Sequence, residues 1–368
     1  MRLTRLEVRR LRRLDEVALA PGPRLNLLVG ENGAGKTSVL EAIHLLAYGR
    51  SFRGRVRDGL VASQAPALEV YAQWQEASGR ERRVGLRHGG QAWEGRLDGQ
   101  AVPYLGELCA ALAAVSFEPG SHALVAGGGE PRRRYVDWGL FHVEPGFLPL
   151  WRRYARALKQ RNSLLKQRGQ GAQLDAWDHE LADAGEPITR LRAGYLEQLQ
   201  PLLSALSVEL APALGAVDIA FQPGWRREEL PLADALLLAR DRDLQAGFTS
   251  VGPHRADWRL RHGALPHGEA LSRGQAKLTA LACVLAQAEH YVAVRGEWPL
   301  VLLDDLASEL DRAHQRRVLA RLADGAAQVF ITGTELPAAA ALAGHEYVLF
   351  HVEQGAVTPA VPPGIPAA

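Results

Sequence analysis

Apolar and polar residues follow one another along this chain in two textures. Up to about residue 117 the spacing is that of strands. Residues 3–8 and 16–19 read as short strands joined by a charged connection over 9–14, and an uninterrupted apolar run, Leu25–Val29, reads as a third. Residues 69–74, 84–87, 92–97 and 100–102 then predict a meander, with Asp98-Gly99 as a two-residue hairpin turn because both positions tolerate positive φ. Beyond this point the period lengthens. Residues 147–168 and 174–210 carry apolar positions three and four apart, a helical pair broken at Gly169-Gln170-Gly171, and Pro187 kinks or restarts the second helix. Residues 217–221 read as a strand, 231–240 as a short helix, and 247–260 as strand and loop. The remainder alternates helix (272–294, 312–323) with strand (300–304, 328–331, 347–350), and the proline-rich end after Thr358 reads as a tail.

Composition changes little in this picture. A chain of 368 residues is long enough for two lobes, and its net charge is only +2. Its bases are almost all arginine, with lysine only at 36, 159, 166 and 277. Clusters such as Arg9-Arg10, Arg12-Arg13 and Arg132-Arg133-Arg134 suit phosphate oxygens, although a GC-rich genome produces the same bias without function. Cys109 and Cys283 lack the spacing of a zinc or redox pair and read as small core residues. No apolar run is long enough to span a bilayer, and residues 1–5 are interrupted by charge. The expectation is a cytoplasmic protein with no membrane partner.

Chemistry enters at Gly30-Glu31-Asn32-Gly33-Ala34-Gly35-Lys36-Thr37-Ser38, which fits the phosphate-loop pattern of Gly, four residues, Gly-Lys-Ser/Thr. A glycine-rich turn before an ordinary helix is the plain alternative. The order of strand, loop and helix around the motif favours a site for a nucleoside triphosphate. Three glycines let backbone amides turn inward around an anion, and the helix that follows points its positive end at the same phosphates. Lys36 is expected to reach the β- and γ-phosphates and Thr37 to bind Mg²⁺. The metal's carboxylate is sought at the end of the apolar strand that closes in Asp304-Asp305. There Asp304 completes the Mg²⁺ shell and Asp305 orients or deprotonates the attacking water.

Two further stretches narrow the class. Leu271-Ser272-Arg273-Gly274-Gln275 opens a long helix ahead of the acids, and Ser308-Glu309-Leu310-Asp311 follows them. Here the chain resembles the ABC-type ATPases, whose signature is Leu-Ser-Gly-Gly-Gln and whose metal-binding strand precedes such a Ser-x-Leu-Asp loop. Arg273 stands where the general signature has its first glycine. Ser272 as N-cap, with Gly274 and Gln275 in the first turn, makes a second anion-binding helix end. In the resembled class, the signature of one subunit covers ATP held by the other, which implies an ATP-dependent homodimer.

Over nearly its whole length the chain resembles one family, the bacterial RecF recombination mediators. The likeness rests on the phosphate loop with Leu40-Glu41-Ala42-Ile43, Gly49-Arg50-Ser51-Phe52-Arg53, Pro131 with Arg132 to Arg134, residues 154–166, Gly252-Pro253-His254-Arg255-Ala256-Asp257, and the Arg273-bearing signature. It implies an α/β fold: an ABC-type P-loop ATPase head with an antiparallel meander (1–117 joined to 248–358), a helical second lobe without long coiled coil (118–247), and a flexible tail (359–368). It further implies a weak ATPase whose ATP-closed dimer clamps double-stranded DNA near single-strand gaps and helps RecO and RecR load RecA. Two departures bear on hydrolysis. Asp305 sits where many ABC ATPases use glutamate, and Thr332-Gly333-Thr334 stands where they place a phosphate-sensing histidine. A glutamine-loop counterpart is sought in residues 115–121.

Overall fold

The strands before residue 118 divide between two separate sheets. The structure, a computed structural model, describes residues 1–54, 59–167, 172–265, 270–337 and 345–360; the expected break at Gly169 to Gly171 and most of the expected tail lie outside the described residues. In chain order the elements are β1 (Arg2–Leu11), β2 (Leu14–Leu19), β3 (Leu25–Val29), α1 (Lys36–Tyr48), β4 (Leu68–Gln75), β5 (Glu81–His88), β6 (Trp93–Leu97), β7 (Gln100–Val102), α2 (Leu105–Ala111) and β8 (Ala114–Phe117). Next come α3 (Ala123–Ala126), α4 (Gly129–Val143), α5 (Phe147–Lys166), α6 (Ala172–Leu210), β9 (Val217–Gln222), α7 (Leu232–Leu238), α8 (Arg240–Ala246) and β10 (Asp257–His262). The chain closes with α9 (Arg273–Arg295), β11 (Leu300–Leu303), α10 (Leu306–Glu309), α11 (Arg312–Asp324), β12 (Val329–Gly333), β13 (Tyr347–Glu353) and β14 (Ala356–Ala360).

Two compact units result, Met1–Ser121 with Ser272–Ala368, and His122–Leu271. The expected boundaries at 117/118 and 247/248 therefore shift, and the second lobe is not purely helical. The cause is the antiparallel ladder of β9 with β10, which holds residues 257–262 against 217–222 and keeps that segment with the helices.

In the first unit an antiparallel sheet runs β2-β1-β4-β5-β6-β7, and a second sheet runs β14-β13-β3-β12-β11-β8. Strands β13, β3, β12, β11 and β8 are mutually parallel, with β14 antiparallel at the edge. The expected charged connection over 9–14 is mostly strand, since β1 extends to Leu11 and pairs it with Leu14. Asp98 and Gly99 turn the hairpin with φ of 53° and 91°. Strand β14 takes in Pro359 and Ala360, which the sequence reading gave to the tail; an edge strand can hold a proline because its amide need not join a ladder. Helix α1 lies in the core between the sheets. Its side chains from Ser38 to Ala47 are buried on every face, among Leu3, Leu6, Val8 and Leu11 of one sheet and Leu28, Leu302 and Phe330 of the other.

The second unit is organised around α5 and α6. Pro187 does not restart the helix: α6 runs unbroken through Pro187 and Pro201. Its buried residues Leu181, Ala184, Ile188, Tyr195, Leu199 and Leu203 recur at helical spacing on both sides of Pro187, so packing holds the backbone where one amide is missing. Fully buried Arg161 binds Asp178 with Nε, and its Nη1 donates to Asp243 (2.7 Å) and Thr249 Oγ1 (3.0 Å), joining α5, α6, α8 and the loop before β10.

The segment Gly252 to Asp257 has a structural job here. Gly252 has φ of 122°, and a Cβ on it would lie 2.7 Å from the Tyr154 hydroxyl. Burial pushes the His254 pKa down to about 4. Neutral His254 then donates from Nε2 to the Thr249 carbonyl (3.0 Å) and accepts the Tyr154 hydroxyl at Nδ1 (2.6 Å). Asp257 takes both prongs of Arg132 (2.6 and 3.0 Å), Arg133 donates to the Ala256 carbonyl (2.8 Å), and Arg192 donates to the Pro253 carbonyl (2.6 Å). Arg132 and Arg133 therefore face inward, and of that cluster only Arg134, paired with Glu130, is widely exposed.

Replacing Arg161 with methionine strands Asp243 in the core without its cation. We expect a loss of about 3–5 kcal/mol in urea unfolding; a change under about 1 kcal/mol would show that the network does not hold the second unit together.

Candidate nucleotide-phosphate site

The carboxyl ends of the parallel strands converge on one cleft, the usual ligand edge of such a sheet. Strand β3 runs into the loop at Gly30, which must be glycine because a Cβ would lie 2.0 Å from the Val352 carbonyl oxygen. Gly35, with φ of 119°, caps α1 without any side-chain bond, and the first turn of α1 carries no acid. The positive helix end is therefore uncompensated within its own helix. Lys36 Nζ donates to the Gly30 and Glu31 carbonyls, 2.7 Å each, so its ammonium lies across the mouth of the loop. Burial pulls its pKa down, opposed by the charges of Asp305 and Asp304.

Strand β11 delivers the acids from the other side. The Thr37 hydroxyl donates to Asp304 (2.8 Å to Oδ1), tying the start of α1 to the end of β11. The Asp304 amide donates to the Phe117 carbonyl (2.8 Å), fixing the strand end against β8. Asp304 is almost fully buried, and burial raises its pKa; the Thr332 and Thr37 hydroxyls pull it back. Thr332 works in two directions: its hydroxyl donates to Asp304 Oδ1 (2.6 Å) and accepts the Asp305 amide (2.8 Å). Asp305 stands in the left-handed region at φ 52°, and Ser308 donates to its carboxylate (2.9 Å).

These groups line a cleft of about 450 Å³ together with Arg12, Arg13, Arg53 and Pro119. Of the expected site, Asn32, Gly33, Gly35, Lys36, Thr37, Ser38, Asp304 and Asp305 line it, while Gly30, Glu31 and Ala34 form the remainder of the loop. Arg13 braces the loop through the Gly33 carbonyl (2.9 Å), and Arg12 binds fully buried Glu41 (2.9 Å) with Ser51 on the same carboxylate. No group of three or more metal-ligating side chains occurs among the described residues. A hydroxyl and a carboxylate on one wall of a basic cleft instead suit a hard cation such as Mg²⁺ that takes its other ligands from phosphate and water.

The signature residues do not join this lining. Ser272 caps α9, accepting the Gln275 amide (3.3 Å), while Gln275 Oε1 accepts the Ser272 amide (2.8 Å). Arg273 and Gly274 are exposed, and that helix end is open. Lys277 ties α9 to Glu309 of α10 (2.7 Å), and Asp311 caps α11 by accepting the Ala313 and His314 amides (2.9 Å each). Of the segment 115–121, only Pro119 reaches the cleft. The sequence reading missed Thr332, noted only as a departure, and gave Arg12, Arg13 and Arg53 no role at the site. A larger cavity of about 600 Å³ in the second unit, beside β10, has no acid among the described residues of its lining, and its Arg132 already belongs to Asp257.

A family model described as the RecF/RecN/SMC N-terminal domain matches residues 2–357. The DNA replication and repair protein RecF of Stenotrophomonas maltophilia (strain R551-3) is 64% identical over 366 residues, covering 98% of this chain and 100% of that protein. A solved structure of the recombination mediator protein RecF with ATP, in the RecFOR pathway, is similar at a TM-score of 0.87 and 28% identity, with 98% of each chain covered. An Smc head bound to the C-terminal winged-helix domain of ScpA shares the fold at a TM-score of 0.60 and 14% identity, over 98% of this chain and 97% of that one. No helix among the described residues is long and apolar enough to cross a membrane.

Thr332→Val removes both of the hydroxyl's bonds at nearly constant volume. One of the two hydroxyls that lower the Asp304 pKa disappears, so its carboxyl should titrate at higher pH than in the wild type, while Thr332→Ser should restore it. Carbon-detected NMR titration of Asp304 checks this, and an unchanged or lower midpoint in Thr332→Val would refute the role given to that hydroxyl.

Proposed function

We propose, for a chain that belongs to the RecF family within the RecF/RecN/SMC N-terminal-domain group, that it is an ATP-switched DNA-binding protein of recombinational repair. The observation that carries the reading is the Thr37–Asp304 hydrogen bond, which joins the phosphate loop to the second acidic strand end across one basic cleft. In this reading the cleft takes Mg²⁺ and ATP. Loop amides and the start of α1 receive the phosphates, and Lys36 exchanges its carbonyl partners for β- and γ-phosphate oxygens. Thr37 and Asp304 hold Mg²⁺, which when bound neutralises charge on those phosphates. Asp305, oriented by Ser308 and by the Thr332 bond to its amide, positions and deprotonates the attacking water. Its short side chain suits slow hydrolysis.

A second copy of the chain completes the site. Support comes from the signature, whose open, capped helix end stands outside the cleft of its own subunit and offers amides to a phosphate elsewhere. ATP can favour the closed dimer only through its higher affinity for that state, and hydrolysis withdraws the preference. The closed dimer clamps duplex DNA near single-strand gaps and helps RecO and RecR load RecA; contacts of this kind go mainly to phosphates. Cys109 and Cys283 are buried thiols outside any disulfide, which suits a reducing cytoplasm.

Lys36→Ala is expected to weaken ATP binding about 10- to 100-fold, the worth of a charged hydrogen bond, and to abolish dimerisation and hydrolysis with it. Lys36→Arg should still bind ATP and dimerise but hydrolyse poorly. Ser272→Arg should bind ATP as a monomer. Light scattering in saturating ATP decides: a monomeric wild type refutes the switch, and a dimeric Ser272→Arg assigns the signature to its own subunit.

A further inference from the structure

Helix α5 carries six cations and no acid over its length. Two are already tied to acids. Arg161 points into the core network, and Arg153 lies against α6, bound to Glu180 (2.6 Å) and Asp183 (3.4 Å). The other four, Arg152, Arg156, Lys159 and Lys166, are exposed; Arg152 has a contact of its own, and Glu180, whose pKa Arg156 helps to lower, is already held by Arg153. At 3.6 residues per turn these four and Ser163 fall within about 80° of one helix face. The buried residues Phe147, Tyr154, Ala157, Arg161 and Leu165 mark the opposite face. The cations are thus held outward by the packing of the helix, in a ridge about 21 Å long, which spans about six phosphates of one DNA strand.

One other surface arranges its charge differently. On the outer face of the antiparallel sheet Arg5 pairs with Glu7, Arg9 with Glu16 (2.8 Å) and Arg87 with Glu94 (3.0 Å), so that face is a mixed lattice. Exposed rings also lie beside the ridge. Trp151 is 42% exposed at one end. Toward the other end, Asn162 accepts the Thr249 amide (2.8 Å), which lays the adjoining loop along the helix, and Phe248 there is 44% exposed with the Arg255 guanidinium 5.1 Å from its ring. Cations in line with exposed rings alongside suit a polyphosphate backbone with an unpaired base at its margin.

We propose that the α5 ridge is the surface on which the DNA backbone lies, an assignment that rests on the DNA-binding reading above. The contact is sequence-independent, because it is made to phosphates, which carry no sequence information.

The test uses the full chain in ATP with labelled gapped and continuous duplexes across a salt series. Arg156→Gln, Lys159→Gln and Lys166→Gln are combined in one variant, and Arg5→Gln, Arg9→Gln and Arg87→Gln in a control that removes equal charge from the sheet. The ridge variant should bind DNA at least about tenfold more weakly and lose about 2.7 from the magnitude of the log–log salt slope, with its ATP affinity and ATP-dependent dimer intact; the control should match the wild type. Wild-type affinity and slope in the ridge variant, equal weakening in the control, or loss of the dimer along with DNA binding each overturn the assignment. A wild type that binds no DNA in ATP refutes the broader reading as well, and is distinguished from those outcomes because it appears without any substitution.

Discussion

Helix α1 has almost no solvent face, and the rest of the cleft at its first turn depends on that constraint. A helix packed between two sheets cannot rotate or slide without moving Ile43, Leu45 and Leu46 against both. Its first turn, with Lys36 and Thr37, is therefore fixed relative to β3 and β11. The same burial creates a problem at Glu41, a carboxylate with no exposure at all. Arg12 and Ser51 answer it, and in doing so they anchor two cationic segments at the cleft wall. The charge needed inside the fold thus helps to shape the charge around the cleft.

Much of this was legible in the sequence because it is written locally. The phosphate loop depends on glycines at fixed spacing, the Asp98-Gly99 turn on backbone tolerance, and α5 and α6 on period. What stayed hidden depends on partners far away in the chain. Arg132 and Arg133 read as a basic surface cluster, yet they meet Asp257 and Ala256, more than a hundred residues later. Charge predicts exposure only when no partner waits inside. Strand β8 has four residues, too few for an alternation to register, and is recognisable only by its pairing with β11. Thr332 was visible only as the lack of a histidine; its two hydrogen bonds exist because β12 lies beside β11.

Arginine does much of the internal joining in the second unit. Arg132 and Arg192 each present a planar fork to one carboxylate, Arg161 divides its donors between two, and each connects elements distant in sequence. A guanidinium keeps its charge when buried, whereas a lysine loses its proton more readily. An arginine-rich composition therefore has an architectural use here whatever its genomic origin.

The left-handed backbone of Asp305 carries a consequence for which acids this position can accept. Aspartate and asparagine enter that region several-fold more readily than most residues, because a short polar side chain can hydrogen-bond locally, as Asp305 does with Ser308. A glutamate would gain one methylene of reach but lose that local compensation, with strain of order 1–3 kcal/mol to absorb. To relieve it, the backbone would have to leave the conformation in which its amide meets Thr332. Reach and backbone geometry are thus in competition at a single residue: for a glutamate to stand here, Thr332, Ser308 and the turn into α10 would have to change with it.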